Sequence, residues 1–215
     1  MIPATRSHNS ANVIADRLRA SIRLGELLPG TRLVQEKLAA ELQVSRIPLR
    51  EALHTLAAEG LIEVLPQRGM HVAELSRADI ENLFELRLQL EPELAEEIVR
   101  GCRDRDVDEL QSLADEMRAK GPDASGRAAL NYQFHRRIYE LSERRLSLRF
   151  IDQLLHLVEP YSRRWVHSGH ELTRIDDEHA KMVEALRTHD AELLRQMIVA
   201  HVEGARDHVL GHHPV

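Results

Sequence analysis

Four polar residues in the C-terminal half have the types and spacing of a metal site. Asn131 and His135 are four positions apart, so on a helix they lie on the same face and can share one ligand. His179 and His201 lie about ten residues before and about eleven after a break near residues 188–190. At about 1.5 Å of rise per residue, both imidazoles lie roughly 15 Å from the turn of a helical hairpin, so they can converge. Three imidazoles and an amide oxygen predict a site for a divalent transition metal, with zinc and nickel as the leading candidates.

A second group of side chains, in the N-terminal third, has the chemistry to contact nucleic acid. Ser45 and Arg46 stand at the start of a predicted helix, and Arg50 follows Arg46 by one helical turn on the same side. In a helix-turn-helix this end of the second helix enters the major groove, where arginine binds guanine or a phosphate. Arg68 and Gly69 fall at the tip of a predicted hairpin, within reach of the neighbouring backbone or minor groove. These positions predict contacts with double-stranded DNA.

Short-range patterns predict the elements that position these arginines. Apolar residues recur every four positions over residues 11–24, which indicates a first helix. Apolar stripes over 38–42 and 49–57 indicate two more helices, with the Ser45 hydroxyl placed to cap the third. Three helices followed by a β-hairpin predict a winged helix-turn-helix. The strands of the hairpin are expected at residues 61–65 and 70–73.

The remainder of the chain is helical in period and poor in strand formers. Ser76 is placed to cap the first of these helices, and the connections between them are short, which is typical of antiparallel neighbours in a bundle. The predicted helices cover residues 77–101, 106–120, 123–142, 145–167, 171–188 and 191–210. The predicted fold class is therefore mostly α, with a winged helix-turn-helix over 1–75 and an all-α antiparallel helical bundle over 76–215.

The charge is divided unevenly along the 215 residues. Residues 1–73 carry 9 Lys and Arg against 7 Asp and Glu, a balance of +2, whereas residues 74–215 carry 20 against 28, a balance of −8, which together give the net −6. A slightly basic module joined to an acidic one suits a DNA-binding head and a body that avoids phosphates. The single cysteine, Cys102, excludes an intramolecular disulfide, and no apolar run approaches the roughly 18 residues that span a bilayer. We expect a cytoplasmic protein with no membrane partner.

The N-terminal motifs resemble those of the GntR family of transcription regulators. They are Pro29-Gly30-Thr31-Arg32-Leu33, Val44-Ser45-Arg46-Ile47-Pro48-Leu49-Arg50-Glu51-Ala52-Leu53, Glu59-Gly60-Leu61-Ile62 and Arg68-Gly69. The resemblance implies that Ser45, Arg46, Arg50, Arg68 and Gly69 contact operator DNA, and that homodimers bind short inverted repeats. One departure is Glu36, which stands where some relatives place an arginine on the DNA backbone.

The C-terminal motifs resemble the FCD domain of the FadR subfamily. They are Glu85-Leu86-Arg87, Leu90-Glu91-Pro92, Asn131-Tyr132-Gln133-Phe134-His135-Arg136, Glu178-His179 and Met197 with His201. In that domain an aspartate or asparagine and three histidines bind a metal at the floor of an effector cavity. The resemblance thus implies the ligand set Asn131, His135, His179 and His201, with an amide in place of the commoner carboxylate.

Two further residues are predicted to bind the effector. The arginine that matches Arg87 points into the cavity in this family, where it can pair with an organic acid. Trp165, the one tryptophan, lies on a predicted helix that can roof the same cavity, although core packing explains it equally well.

The sequence as a whole predicts a transcription repressor, not an enzyme, whose operator binding is controlled by a small carboxylate effector. Two alternatives stay open. Three histidines with an open coordination position can activate water in a metalloenzyme, although no His-Glu-x-x-His motif, glycine-rich phosphate loop or nucleophile elbow accompanies them. The metal can also be purely structural, in a protein that binds DNA constitutively.

Overall fold

Two compact units, Met1–Leu75 and Ser76–Val215, make up the chain in a computed structural model, which describes residues 6–121, 124–164 and 169–212. The first unit contains three helices and a small antiparallel sheet. The elements are α1 (Arg6–Arg23), β1 (Arg32–Leu33), α2 (Gln35–Leu42), α3 (Arg46–Ala58), β2 (Ile62–Leu65) and β3 (Gly69–Val72). The predicted winged helix-turn-helix is confirmed.

The core of the first unit forms where α1 packs against α3. Leu49, Leu53 and Leu56 on α3 are fully buried, and the apolar stripe of α1 faces them. These residues recur at three- and four-residue intervals, so they share one side of α3. Arg46 and Arg50, on the same helix, are exposed.

Two local features of this unit differ in detail from what the sequence predicts. The sheet has three strands in the order β1-β3-β2, because Arg32 and Leu33 pair with His71 and Met70 and add a short strand to the hairpin. Ser45 is the N-cap residue of α3, as expected, but its side chain makes no capping hydrogen bond. The exposed hydroxyl is therefore not committed to the helix end.

The second unit is all-helical over the residues that the structure describes. Its helices are α4 (Arg77–Leu90), α5 (Ala95–Gly101), α6 (Asp104–Ala119), α7 (Ala124–Glu140), α8 (Arg145–Arg164), α9 (Gly169–Arg187) and α10 (Ala191–His212). Ser76 caps α4 as expected, in a reciprocal capping box in which its hydroxyl accepts from the Asp79 backbone N–H. Within these described ranges, no helix has the length and apolar character needed to cross a membrane.

The helix predicted over residues 77–101 is in fact two helices. Pro92 opens a short 3-10 turn, Pro92–Leu94, between α4 and α5. Proline has no N–H to donate to the preceding turn, and its ring crowds the carbonyl four residues earlier, so a regular helix cannot run through it at low cost. Glu91, the last residue before this turn, is completely buried.

Three helices place the predicted histidines. Helix α10 packs against α4, α5, α8 and α9, and α6 packs against both α7 and α9. His201 lies in the buried stripe of α10 beside Ile198 and Val202, and His179 lies in that of α9, one turn before Met182 and Val183. The apolar periodicity that drives these helices together thus carries the imidazoles into the core.

Gly101, at the end of α5, sits so close to the chain after α7 that a Cβ would overlap the Leu141 carbonyl oxygen and lie 3.3 Å from its carbon. We expect Gly101→Ala to lower the free energy of unfolding by about 1–3 kcal/mol, because a backbone contact cannot yield as a flexible side chain can. Gly211→Ala is the matched control, since a Cβ there meets no atom within 4 Å. Equal urea midpoints for the two variants would contradict the expectation.

Candidate metal centre and nucleic-acid interface

His135, His179 and His201 converge in the core of the second unit. A nitrogen from each ring lies within 4.8 Å of the others, and all three residues are buried. The Nε2 atoms of His135 and His179 are 3.3 Å apart, and the ring centroids of the three pairs are 4.7–5.2 Å apart. Phe134 packs on the His179 ring at 4.6 Å. Three helices therefore bring together histidines that are up to 66 positions apart in the chain.

The donor set and its spacing fit a divalent transition metal. Zn–N bonds of about 2.0–2.1 Å in a tetrahedron place two ligand nitrogens about 3.3 Å apart, which matches the separation of the His135 and His179 Nε2 atoms. The Nδ1 atoms of these two rings are buried without a hydrogen-bond partner in the described part of the chain. Neutral imidazole is a ligand that suits zinc, nickel and copper.

Asn131 lies one turn before His135 on α7 and is half-buried. That position is the one expected for a fourth ligand, since side chains four residues apart share a helix face. Its role stays a prediction. Trp165, predicted to roof the cavity, lies outside the described residues.

Burial and mutual repulsion keep two of the histidines neutral. Burial lowers the pKa of His135 and of His179 well below the usual imidazole value, and the neighbouring imidazole of His201 lowers both further. Arg127 also acts on His179, and Arg87 acts on His135. Neutral imidazole is the form that ligates a metal.

This burial makes the stability of the metal-free protein depend on pH. A histidine whose pKa is lower in the folded state makes its full contribution to the free energy of unfolding at pH values above its unfolded pKa of about 6.5. That contribution is lost as the pH falls. Between pH 7.5 and 5.5 we expect a loss on the order of 1 kcal/mol for each of His135 and His179. Urea unfolding at the two pH values measures it. In His135→Gln the pH dependence should be roughly halved, and an unchanged dependence would contradict the assignment.

Arg87, the predicted effector ligand, is buried and paired. Its Nε and Nη2 donate to the two oxygens of Glu91 at 2.6 and 3.2 Å, and the Tyr139 hydroxyl donates to the same carboxylate. Burial would lower the pKa of Arg87, but the charge and hydrogen bonds of Glu91, together with the charges of Tyr139 and Glu159, raise it. The Tyr139 ring in turn stacks on His135, with centroids 6.2 Å apart. Arg87 is thus connected to the histidine cluster through Glu91 and Tyr139.

Two side chains at this site, Tyr139 and Glu178, were not predicted from the sequence as functional residues. Tyr139 follows His135 by one helical turn, so its spacing to Asn131 and His135 was the available signal. The Nδ1 of His201 is 2.8 Å from Oε2 of Glu178. Burial would raise the pKa of Glu178, but its hydrogen bond with His201 and the charge of Arg174 lower it.

In the first unit, the predicted DNA contacts lie on exposed surface. Arg46 forms an ion pair with Glu36 at 2.9 Å, both side chains being more than 70% exposed. Arg50 is exposed and has no ion pair with the residues described. Arg68 is exposed at the hairpin turn, and Gly69 beside it has a φ of +85°, a conformation that side chains disfavour. Glu36, which stands where some relatives place an arginine on the DNA backbone, therefore pairs with an arginine that is predicted to contact DNA.

Comparison with known proteins matches both units. Residues 10–72 match the model for bacterial regulatory proteins of the gntR family, and residues 82–204 match the FCD domain. The gluconate operon transcriptional repressor of Bacillus licheniformis is 30% identical over 84% of this chain and 77% of its own length. The Nta operon transcriptional regulator of Aminobacter aminovorans is 27% identical over 85% of this chain and 86% of its own.

Solved structures share the fold. McbR (YncC) of E. coli superposes with a TM-score of 0.82 at 23% identity, over 94% of this chain and 95% of its own. A GntR protein from Rhodococcus sp. RHA1 gives 0.83 at 23% identity, over 96% of this chain and all of its own. A winged helix-turn-helix joined to this helical unit defines a DNA-binding transcriptional regulator. The chain belongs to the GntR family of bacterial regulators and carries an FCD domain. The two curated relatives are both named as transcription regulators.

Proposed function

We propose that the protein is a homodimeric repressor, of the FadR subfamily, whose grip on an inverted-repeat operator is released by a small carboxylate bound beside a divalent metal. The observation that carries the proposal is the buried convergence of His135, His179 and His201. Asn131 is the fourth ligand in this proposal, and zinc or nickel is the metal. When bound, the metal would supply a Lewis-acidic position for one carboxylate oxygen.

Charge supports an anionic effector. Three neutral imidazoles and an amide leave the charge of a divalent ion uncompensated in a buried site, and an anion relieves that cost. Glu91 occupies two of the five N–H groups of the Arg87 guanidinium and Tyr139 also contacts it, so the proposal assigns to the acid the N–H groups that remain. Since Glu91 already balances the charge of Arg87, we infer that Arg87 orients the acid and that the metal provides most of the attraction.

Release of DNA requires only that the acid binds more tightly to a dimer that cannot hold its operator. A ligand shifts an equilibrium by its differential affinity alone, and a 100-fold preference corresponds to about 2.7 kcal/mol. The operator half-sites of a helix-turn-helix dimer lie about one helical turn apart, so a change in the spacing of the two heads weakens the complex.

A panel of small carboxylates tests the proposal. We expect one or more acids to raise the melting temperature of zinc-loaded protein by mass action, and to release operator DNA selected from a random duplex library. The same acids should have little effect on metal-stripped protein. If the protein holds zinc but no acid changes DNA affinity, the metal is structural and the regulator is constitutive. If the protein turns over substrates, the assignment as a non-enzyme is wrong.

Arg50 on α3 is expected to carry operator recognition. Arg50→Ala should weaken specific binding by about 1–3 kcal/mol at physiological salt, because the exposed face of the recognition helix loses a guanidinium that can bind a base or a phosphate. Fluorescence anisotropy with the selected duplex measures the loss. Arg17→Ala, which removes an exposed arginine on α1 of the same unit, is the matched control. An Arg50→Ala variant that is folded and binds as tightly as wild type would defeat the assignment.

A further inference from the structure

Glu178 lies between one of the histidines and an arginine. Its Oε2 is 2.8 Å from Nδ1 of His201, and its Oε1 forms an ion pair with the Arg174 guanidinium. The Glu178 side chain is 12% exposed and that of His201 is 8% exposed, so the contact is sheltered from water. Glu178 directly precedes His179 in α9. His179 contributes its own ring to the cluster, and Glu178 contacts the ring of His201.

This contact decides which nitrogen of His201 can bind a metal. A carboxylate accepts a hydrogen bond from Nδ1–H, so the proton of the neutral ring is held at Nδ1 and the lone pair is left at Nε2. The corresponding Nδ1 atoms of His135 and His179 have no hydrogen-bond partner among the described residues. Of the three rings, His201 is thus the one whose tautomer and orientation are fixed by a carboxylate.

The position of Glu178 is itself supported by a close helix contact. Arg174 lies one turn before Glu178 on α9, and its guanidinium rests on α10 at Gly204, three residues after His201. A Cβ on Gly204 would lie 2.9 Å from Cζ of Arg174 and would overlap its Nη1. The absence of a side chain at Gly204 is what admits the guanidinium there.

We propose that Glu178 is a positioning residue of the metal site, which holds His201 with Nε2 available to the ion, and that Arg174, seated over Gly204, holds Glu178. This inference rests on the proposed function, because it assigns a role within the same site. A series of contacts thus runs from the surface of α9 and α10 to a buried metal-binding residue, through Gly204, Arg174, Glu178 and His201.

Two measurements test the inference. The first is the tautomer of His201 in metal-free protein, read from the ¹⁵N shifts of the imidazole by long-range ¹H–¹⁵N correlation. The second is the affinity for Zn²⁺, measured by competition with a chromogenic chelator. We expect Glu178→Ala to lose the Nδ1–H form of His201 and to bind Zn²⁺ about 10- to 100-fold more weakly. Glu178→Gln keeps an acceptor oxygen and should lose less. Gly204→Ala displaces Arg174 but keeps the Glu178 side chain. It should therefore weaken Zn²⁺ binding by less than Glu178→Ala does.

Glu184→Ala is the matched control, because Glu184 is a carboxylate on the same helix whose ion pair with Arg187 is about half-exposed. It should leave both readouts unchanged. Wild-type Zn²⁺ affinity in folded Glu178→Ala, or a His201 tautomer that does not depend on Glu178, would overturn the inference. If wild-type protein binds no Zn²⁺, the proposed function fails instead, and the tautomer of metal-free His201 still decides whether Glu178 orients the ring.

Discussion

His179→Ala is expected to lower the affinity for Zn²⁺ by more than about 100-fold, since loss of a ligand should exceed the 10- to 100-fold loss typical of a supporting residue. His179 is completely buried, and its Nε2 lies 3.3 Å from that of His135. Water cannot easily replace its imidazole, so the remaining rings would be left to hold the ion. Metal content of protein purified without chelator or nickel resin, followed by chelator competition, measures the effect.

Two companion variants separate loss of a ligand from loss of the fold. His179→Gln keeps most of the side-chain volume, so it should remain folded and still lose metal. His189→Asn removes a histidine from the turn after α9, where the left-handed backbone, with φ of 53°, suits asparagine. It should bind Zn²⁺ as wild type does. Full retention of stoichiometric metal by His179→Ala would show that the histidine cluster is not the metal site.

Helix geometry was sufficient to predict that His179 and His201 lie close together. Residues four apart on α7 share a face, and residues equally distant from the turn between α9 and α10 reach equal depth. The buried stripe of α10 continues through His201, which fixes the side of the helix that it occupies. That α7 brings His135 and Asn131 to the same place was implied by the resemblance to the FCD domain and not by helix geometry.

Contacts between side chains of different elements were not predictable in the same way. Glu91 follows Arg87 by one turn, so the pair was visible in the sequence, but a buried arginine can equally face a ligand. The Tyr139 hydroxyl reaches Glu91 only because of how α4 and α7 are rotated about their axes. No periodicity encodes that rotation. The two-residue strand β1 was missed for a related reason, since it is too short to show any alternation and exists only through its pairing with β3.

The second large expected effect is a loss of stability when the ion pair of Arg87 and Glu91 is broken. Arg87→Ala should lower the free energy of unfolding by about 3–5 kcal/mol, because it leaves the carboxylate of Glu91 buried without a counter-charge. Glu91 is 0% exposed, so water cannot solvate it in place of the guanidinium. Arg118→Ala is the control variant. Arg118 forms an ion pair with Asp177 in which both side chains are more than half exposed, so its loss should change the free energy of unfolding by less than about 1 kcal/mol. Urea unfolding at pH 7.5 compares the two.

The same pair determines how the effector role of Arg87 must be tested. A single Arg87 variant loses both a ligand contact and much of its stability, so loss of the response to an acid would not identify the cause. Arg87→Met combined with Glu91→Gln removes both charges and keeps an acceptor for the Tyr139 hydroxyl, which should restore most of the stability. We expect this double variant to bind operator and Zn²⁺ as wild type does, and to require a much higher concentration of the acid for release. If it is folded and releases operator at the wild-type concentration, Arg87 does not bind the effector and serves only as the buried partner of Glu91.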